Sequence, residues 1–424
     1  MRNVVLSFCL LAVSSAALAQ APKVNINRAE VERIEKVLAS DDMQGRRTFT
    51  PGIDKAAEFI AAEFKKSGIK PAGNEEYFQT FYMYKTGNLS GSVKVNGTEI
   101  PAAKIVAIST KKELSVDGSY DKIHIGAQDT FFTKYQRAAQ ATKNTIVTVD
   151  PAHERMFNSL RRRNSFTELA NNLVFVLNVD AANEVSGTLK QEVEQQRLRN
   201  VVGMIPGKSK KDEIVIFSAH YDHLGIGKPN EAGDSIYNGA NDDAAGTTAV
   251  MMLAYHYAKQ KDNERTIVFA AFTAEEVGGY GSQYFSKQYD PAKIVAMFNI
   301  EMIGTESNWG KNSAYITGYE KSNMGEILKK NLVGTGFTFH PDPYPQMNLF
   351  YRSDNATLAR LGVPAHTIST SKMDQEKYYH TQEDEFETLD IANMTEIIKS
   401  IAISATSIIK GTDTPSRVDT TQLR

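Results

Sequence analysis

Residues 213–220, Glu-Ile-Val-Ile-Phe-Ser-Ala-His, decide the reading of the fold. Ile214 to Phe217 is an unbroken run of large apolar residues with no polar alternation, the pattern of a strand covered on both faces. The run ends on a histidine. Residues 265–273, Arg-Thr-Ile-Val-Phe-Ala-Ala-Phe-Thr, repeat the design, and the segment between them, Ala244–Gln260, has helical spacing. The alternation continues with helix Gly281–Gln288, strands Ile294–Met302 and Ala314–Gly318, helices Asn323–Val333 and Asp354–Leu361, strand Pro364–Thr370 and a closing helix Ile391–Ile409. Strands alternating with helices predict an α/β fold, a three-layer sandwich around a mostly parallel central sheet. Such sheets bind ligands beyond the carboxyl ends of their strands, so the polar residues there carry the functional question.

Working outward, residues 27–70 predict two amphipathic helices, one around Val31, Ile34 and Val37 and one around Ala56, Ile60 and Phe64, separated by the turn Asp41–Gly45. From 85 to 195 the texture changes to short β-prone runs, with a hairpin signal from Val93 to Ile100 and further runs at Ile146–Val149 and Leu173–Val179. This segment is read as a smaller β-containing inserted domain, which leaves 20–84 and 196–424 as the two parts of one discontinuous main domain. Its Arg161-Arg162-Arg163 triplet is read as a solvated face. Residues 1–19 are read as a signal peptide: Arg2 gives a positive start, Val4 to Val13 an apolar stretch, and Ala17-Leu18-Ala19 a cleavage site. That implies an exported protein, periplasmic or secreted.

The 424 residues are 41% hydrophobic and 23% charged, with 48 Lys and Arg against 50 Asp and Glu, so a net charge of -2 offers no field for nucleic acid or an anionic membrane. No run outside the leader has the length of a membrane span. The single cysteine, Cys9, lies inside the leader, so thiolate catalysis and thiolate metal sites are excluded from the processed chain. There is no His-Glu-x-x-His, Gly-x-Ser-x-Gly or Walker motif.

Each predicted strand end carries metal-binding residue types. The first runs into His220-Tyr221-Asp222, the second into Glu275-Glu276 and the third into Glu301, while Asp242-Asp243 opens the intervening helix and His380 follows Tyr378-Tyr379. Convergence of these groups on one sheet edge predicts a metal site. Two imidazoles and three carboxylates without a thiolate suit zinc, and three carboxylates offset most of the charge of two such ions. Two zinc ions per chain are therefore expected, with Asp242 as the bridging carboxylate. Paired metals in hydrolases clamp a water and polarise a carbonyl. Of Glu275 and Glu276, one can bind metal while its neighbour serves as general base. Asp222 is expected to orient the His220 imidazole, with Asp243 beside it in the layer around the metals. His223, His256 and His366 are read as structural.

These motifs resemble the co-catalytic zinc exopeptidases, which include secreted bacterial leucyl aminopeptidases, glutamate carboxypeptidases and, more remotely, glutaminyl cyclases. The matching pieces are Ser-Ala-His220-Tyr-Asp222-His-Leu-Gly, Asn-Gly-Ala-Asn-Asp242-Asp243-Ala-Ala-Gly, Phe-Thr-Ala-Glu275-Glu276, Asn-Ile-Glu301-Met-Ile-Gly and Tyr379-His380-Thr-Gln-Glu-Asp384, within 27–82 and 198–410. The resemblance implies that His220 and Glu301 hold one zinc and Glu276 and His380 the other, with Asp242 shared and Glu275 as base. It also implies a cis peptide between Asp242 and Asp243, and Tyr379 as donor to an oxyanion. Glu301 departs from the Asp that many members carry.

The expected activity is hydrolysis of terminal peptide bonds by an aminopeptidase, with peptides as substrates. A carboxypeptidase would need a cation for the terminal carboxylate. Arg352, the candidate, is read as structural. A glutaminyl cyclase would use one zinc, and a secreted binding module would have lost catalysis.

Overall fold

The computed structural model describes residues 24–423, so the leader sequence and Cys9 lie outside the described residues. The stretch 213–220 sits at the centre of the molecule as the end of strand Lys210–His220. It pairs in parallel with Arg265–Phe272 on one side and Ile294–Ile300 on the other, and Ile294–Ile300 pairs in parallel with Ala365–Ser369. Ser313–Ile316 then runs antiparallel to Ala365–Ser369 and carries Thr338–Pro341 in parallel beyond it, an edge strand the sequence pattern did not signal. On the opposite side Val185–Ile205 joins antiparallel to Arg265–Phe272. The sheet is thus parallel through its four central strands and joined to each flank by an antiparallel pairing.

Helices cover both faces. The helix Ala245–Gln260 packs with Arg28–Leu38, Pro51–Ser67 and Ile391–Ser404 over one face, and Val250, Leu253, Phe217, Phe269 and Phe298 there are all fully buried. The closing helix breaks at Ala405, where a second short helix, Thr406–Ile409, begins. Phe272, Phe285, Met297 and Leu358 fill the second, smaller layer.

The segment from 85 to 195 is tied to the main sheet by two long strands, Phe78–Val95 and Val185–Ile205, paired antiparallel from Phe78–Val201 to Val95–Val185. Beyond them a four-stranded sheet forms from Ile105–Ile108, Leu173–Leu177, Thr145–Val149 and Asp121–Ile125. Two helices, Phe131–Ala139 and Glu154–Arg162, accompany it. Among the described residues no helix is long and apolar enough to cross a membrane.

Candidate metal centre

His220 is the last residue of its strand, Glu275 and Glu276 follow Arg265–Phe272 by three and four positions, and Glu301 follows Ile294–Ile300 directly. All four therefore emerge at the carboxyl edge of the parallel sheet. Asp242 lies in the turn Ala240–Ala244 ahead of the helix Ala245–Gln260, where the peptide joining it to Asp243 is cis, as the resemblance implied. His380 comes from the loop after Ala365–Ser369.

The side chains meet. The Asp242 carboxylate presents its Oδ1 to His220 Nε2 and its Oδ2 to His380 Nε2, each at 3.2 Å. Glu276 Oε1 lies 3.3 Å from His380 Nε2. His220, Asp242 and Glu301 form one group able to hold an ion, and His223, Asp242 and Glu276 form another. Asp242 belongs to both. Asp242 Oδ2, Glu301 Oε2 and His380 Nε2 are buried and have no hydrogen-bond partner. An unsatisfied buried carboxylate is costly, and zinc bonds of about 2.0–2.1 Å in a tetrahedral set put ligand atoms about 3.3 Å apart, so the group fits a cation.

Electrostatics agree. Burial works to raise the Asp242 carboxyl, yet the adjoining His220 and His380 hold it well below the usual carboxylate range. Burial likewise pushes Glu276 upward and is overcome by His223 and His380, which bring it to about 2. Asp242 and Glu276 in turn raise His380 to about 10. Glu275 has no such partner. Burial raises it well above the ordinary value against the pull of His220, and Asp354, Glu301 and Glu276 raise it further. Glu301 is pushed up to about 7, chiefly by burial. The group thus contains carboxylates held charged, Asp242 and Glu276, and carboxylates pushed toward the neutral form, Glu275 and Glu301.

Behind these groups a layer of buried carboxylates grips main chain. Asp222 accepts from the backbone N–H of Glu275 at 3.0 Å and of Glu276 at 3.2 Å. The expected orientation of His220 by the Asp222 carboxylate is not what the structure shows. His220 Nδ1 lies 3.1 Å from the Asp222 main-chain carbonyl, whereas the nearer carboxylate oxygen is 3.9 Å away, because that carboxylate is already engaged with the glutamate pair. Asp243 accepts from the N–H groups of Met302 at 3.1 Å and His220 at 3.3 Å, joining the two strand ends that carry one ligand group. Asp384 accepts from Asn241 at 2.8 Å and Asp242 at 3.0 Å.

Three positions around this group escaped the sequence reading. Arg46, fully buried, donates to the carbonyls of Tyr221 at 2.8 Å, Leu38 at 2.7 Å and Gly239 at 2.8 Å, and so ties the His220 loop to the Asp242 turn. Asp354 is buried close to Glu275 and Glu301, and burial raises it. His223, read as structural, faces the ion-binding group, with Nδ1 3.0 Å from Glu276 Oε1. Its place three residues after His220 was the available signal. His256 and His366 lie outside the group, bound to Asn25 and to Ser322 and Thr317 respectively.

Tyr379 stacks on His380 with ring centroids 3.9 Å apart. With Glu301, Met302, Leu349, Arg352 and Met373 it walls a cavity that opens beside the metal-binding groups. Arg352, read as structural, follows the turn Leu349–Tyr351 and lines this cavity.

Comparison with known proteins places this geometry. Residues 200–404 match the model of peptidase family M28. A leucine aminopeptidase 1 from Paracoccidioides brasiliensis (strain Pb03) is 25% identical over 282 residues, which are 62% of this chain and 70% of that protein. A probable zinc metalloprotease from Pyricularia oryzae is 34% identical over 113 residues, 26% of this chain and 22% of the relative. The chain thus spans between 22% and 70% of the length of these curated relatives. Among solved structures, a zinc aminopeptidase from Bacillus subtilis superposes with a TM-score of 0.55 at 18% identity, over 92% of this chain and 96% of its own. A glutaminyl cyclase from Porphyromonas gingivalis gives 0.51 at 11% identity, over 91% and 100%. At such identities these likenesses establish a shared fold.

Proposed function

Proceeding from a peptidase family M28 domain at residues 200–404, we propose that the chain is a zinc-dependent exopeptidase that removes residues from the amino end of peptides and holds two zinc ions. The carrying observation is the Asp242 carboxylate, whose two oxygens turn to His220 and His380 at 3.2 Å each. His220 and Glu301 would complete one ion's ligands and Glu276 and His380 the other's. When bound, such a pair supplies an acidified water and a polarised substrate carbonyl. Glu275 is the general base. It lies beside the ligand glutamate, its main chain is fixed by Asp222, and its carboxylate has no competing cationic side-chain partner. It accepts the water proton and passes it to the departing amine. Tyr379, whose hydroxyl burial keeps protonated, donates to the oxygen that gains charge.

Arg352 in the cavity wall favours a second reading, recognition of a substrate carboxylate, as a carboxypeptidase requires. One experiment separates the two. Purified protein analysed for zinc is assayed on matched peptides with a free or an acetylated amino end. Aminopeptidase action requires two zinc ions per chain and cleavage of the free-amine peptide alone; equal cleavage of the acetylated peptide establishes the carboxypeptidase, and a single zinc points to a cyclase-type centre. We propose also that residues 1–19 direct export to the periplasm or medium, so that the mature chain begins at Gln20 on N-terminal sequencing.

A further inference from the structure

The ion-binding group nearest His380 contains a second imidazole, His223, which the exopeptidase resemblance leaves without a role. Its ring is wholly enclosed. The main chain fixes it, since its N–H donates to the Arg46 carbonyl at 3.3 Å. The ring also lies against Gly239, which has φ +55, where a Cβ would come within 2.5 Å of the imidazole Cγ. A side chain at 239 would displace the ring.

Two atoms of this ring are chemically distinct. Nδ1 is 3.0 Å from Glu276 Oε1 with hydrogen-bond geometry, and 3.8 Å from Asp242 Oδ2. Nε2 is buried and has no partner. A proton on Nε2 would be a buried donor without an acceptor, costing about 1–3 kcal/mol, whereas a proton on Nδ1 is taken up by the carboxylate. The proton therefore sits on Nδ1, and with it the lone pair that a cation would need is lost from that atom. His380 differs: its Nε2 lies 3.2 Å from Asp242 Oδ2 and 3.3 Å from Glu276 Oε1 and makes no hydrogen bond, so it is the imidazole left available to an ion.

We propose that His223 is a positioning residue, which donates Nδ1–H to Glu276 Oε1 and so fixes that carboxylate on the second zinc without itself ligating the metal. The inference rests on the two-zinc reading given above. Carboxylates that bind metals are commonly held this way, and losing such a partner costs about 10–100-fold in metal affinity.

Zinc titration of the dialysed full chain by calorimetry tests it, with His223→Asn, His223→Gln and His223→Leu compared after their metal-free thermal transitions are matched. Asn places its amide N–H near the Nδ1 position, Gln near Nε2. Expected is near-normal affinity for both equivalents in H223N, and a 10–100-fold weaker second equivalent with an unchanged first in H223Q and H223L. Normal second-site affinity in H223L overturns the proposal, and so does an H223N defect as large as that of H223L. The dicobalt protein gives an independent readout, because each ligating imidazole yields one shifted exchangeable N–H proton resonance. Two such signals support the assignment; three make His223 a ligand and overturn it. A wild-type chain that binds only one zinc overturns the two-metal reading itself, and a chain that binds two but cleaves no peptide leaves this assignment standing while the exopeptidase falls.

Discussion

The carboxyl edge of the central sheet and the four-stranded sheet between 105 and 177 are built by opposite rules. Around the first, His220, Asp222, His223, Asp242, Asp243, Asp354 and Asp384 are all buried. In the described segment 85–195 no Asp, Glu, His, Lys or Arg is buried, and the core there is Val, Ile, Leu and Phe with a few amides and hydroxyls. Burying an isolated charge costs several kcal/mol, so a chain gathers such groups only where something repays the loss of water. Backbone N–H groups do so for Asp222, Asp243 and Asp384. The orphaned oxygens of Asp242 and Glu301 lack even that, so the edge offers a place for a cation that the small sheet does not.

This contrast can be broken at either end. The largest expected effect is on catalysis: Glu275→Gln removes the proposed base while keeping the shape, and kcat should fall by about 10²–10⁴-fold with zinc content unchanged. Near-normal turnover in the zinc-loaded variant would falsify the base assignment. Next, Phe175→Ala opens the small sheet's core, where Phe175 is fully buried and stacked with Tyr135 at 5.9 Å. A loss of about 3–5 kcal/mol is expected in denaturant unfolding of that region, and zinc content should not change. If zinc content falls with it, the two regions are not energetically separate.

Chelation should act the other way round. Removing bound zinc forfeits its linkage stabilisation, about 2.7 kcal/mol at a hundredfold excess over Kd, and amide exchange should quicken around 218–223, 238–246 and 298–304. Exchange in 121–125, 145–149 and 173–177 should stay as it was. Uniform quickening would erase the contrast.

The smallest effect concerns Glu35, a buried carboxyl on the first helix that accepts from the Thr248 hydroxyl at 2.6 Å. Burial raises its pKa from 4.5 to about 8. A raised acid favours the folded state at low pH, and that contribution is lost as pH climbs from the unfolded value through about 8. Glu35→Gln keeps an amide in place of the neutral acid and removes the titration. The difference in unfolding free energy between variant and wild type should therefore grow in the variant's favour between pH 6 and 9, by about 1.4 kcal/mol for each pH unit below about 8. A pH-independent difference would show that Glu35 does not titrate in the fold.

Much of the fold and of the site's membership was legible in the sequence because both depend on local pattern. Unbroken apolar runs at 214–217 and 267–272 read as doubly covered strands, and the polar residues just past them had to lie at one edge. The edge strand Thr338–Pro341 did not stand out, since it is short and half-exposed and carries no run. Asp222 lies behind the candidate ligands but not in the expected contact, because adjacency to His220 in sequence suggests the imidazole while the glutamate N–H groups arrive from 53 residues away. Arg46 had no local signal at all. Its acceptor on Tyr221 is 175 positions distant, and a buried cation satisfied by carbonyls leaves no complementary acid in the chain to mark it.

The sequence by itself determined the strand order of residue types: which segments bury on both faces, and which acids and imidazoles follow them. Periodicity and composition are properties of neighbours along the chain, so they are already present before folding. Only the tertiary structure decided which oxygen of Asp242 faces which histidine, which of His223 and His380 turns a nitrogen free of hydrogen bonds toward Asp242 and Glu276, and which carboxylates hold backbone. Those outcomes depend on distances of a few tenths of an ångström between atoms from different loops, and such distances exist only once the sheet has brought the loops together.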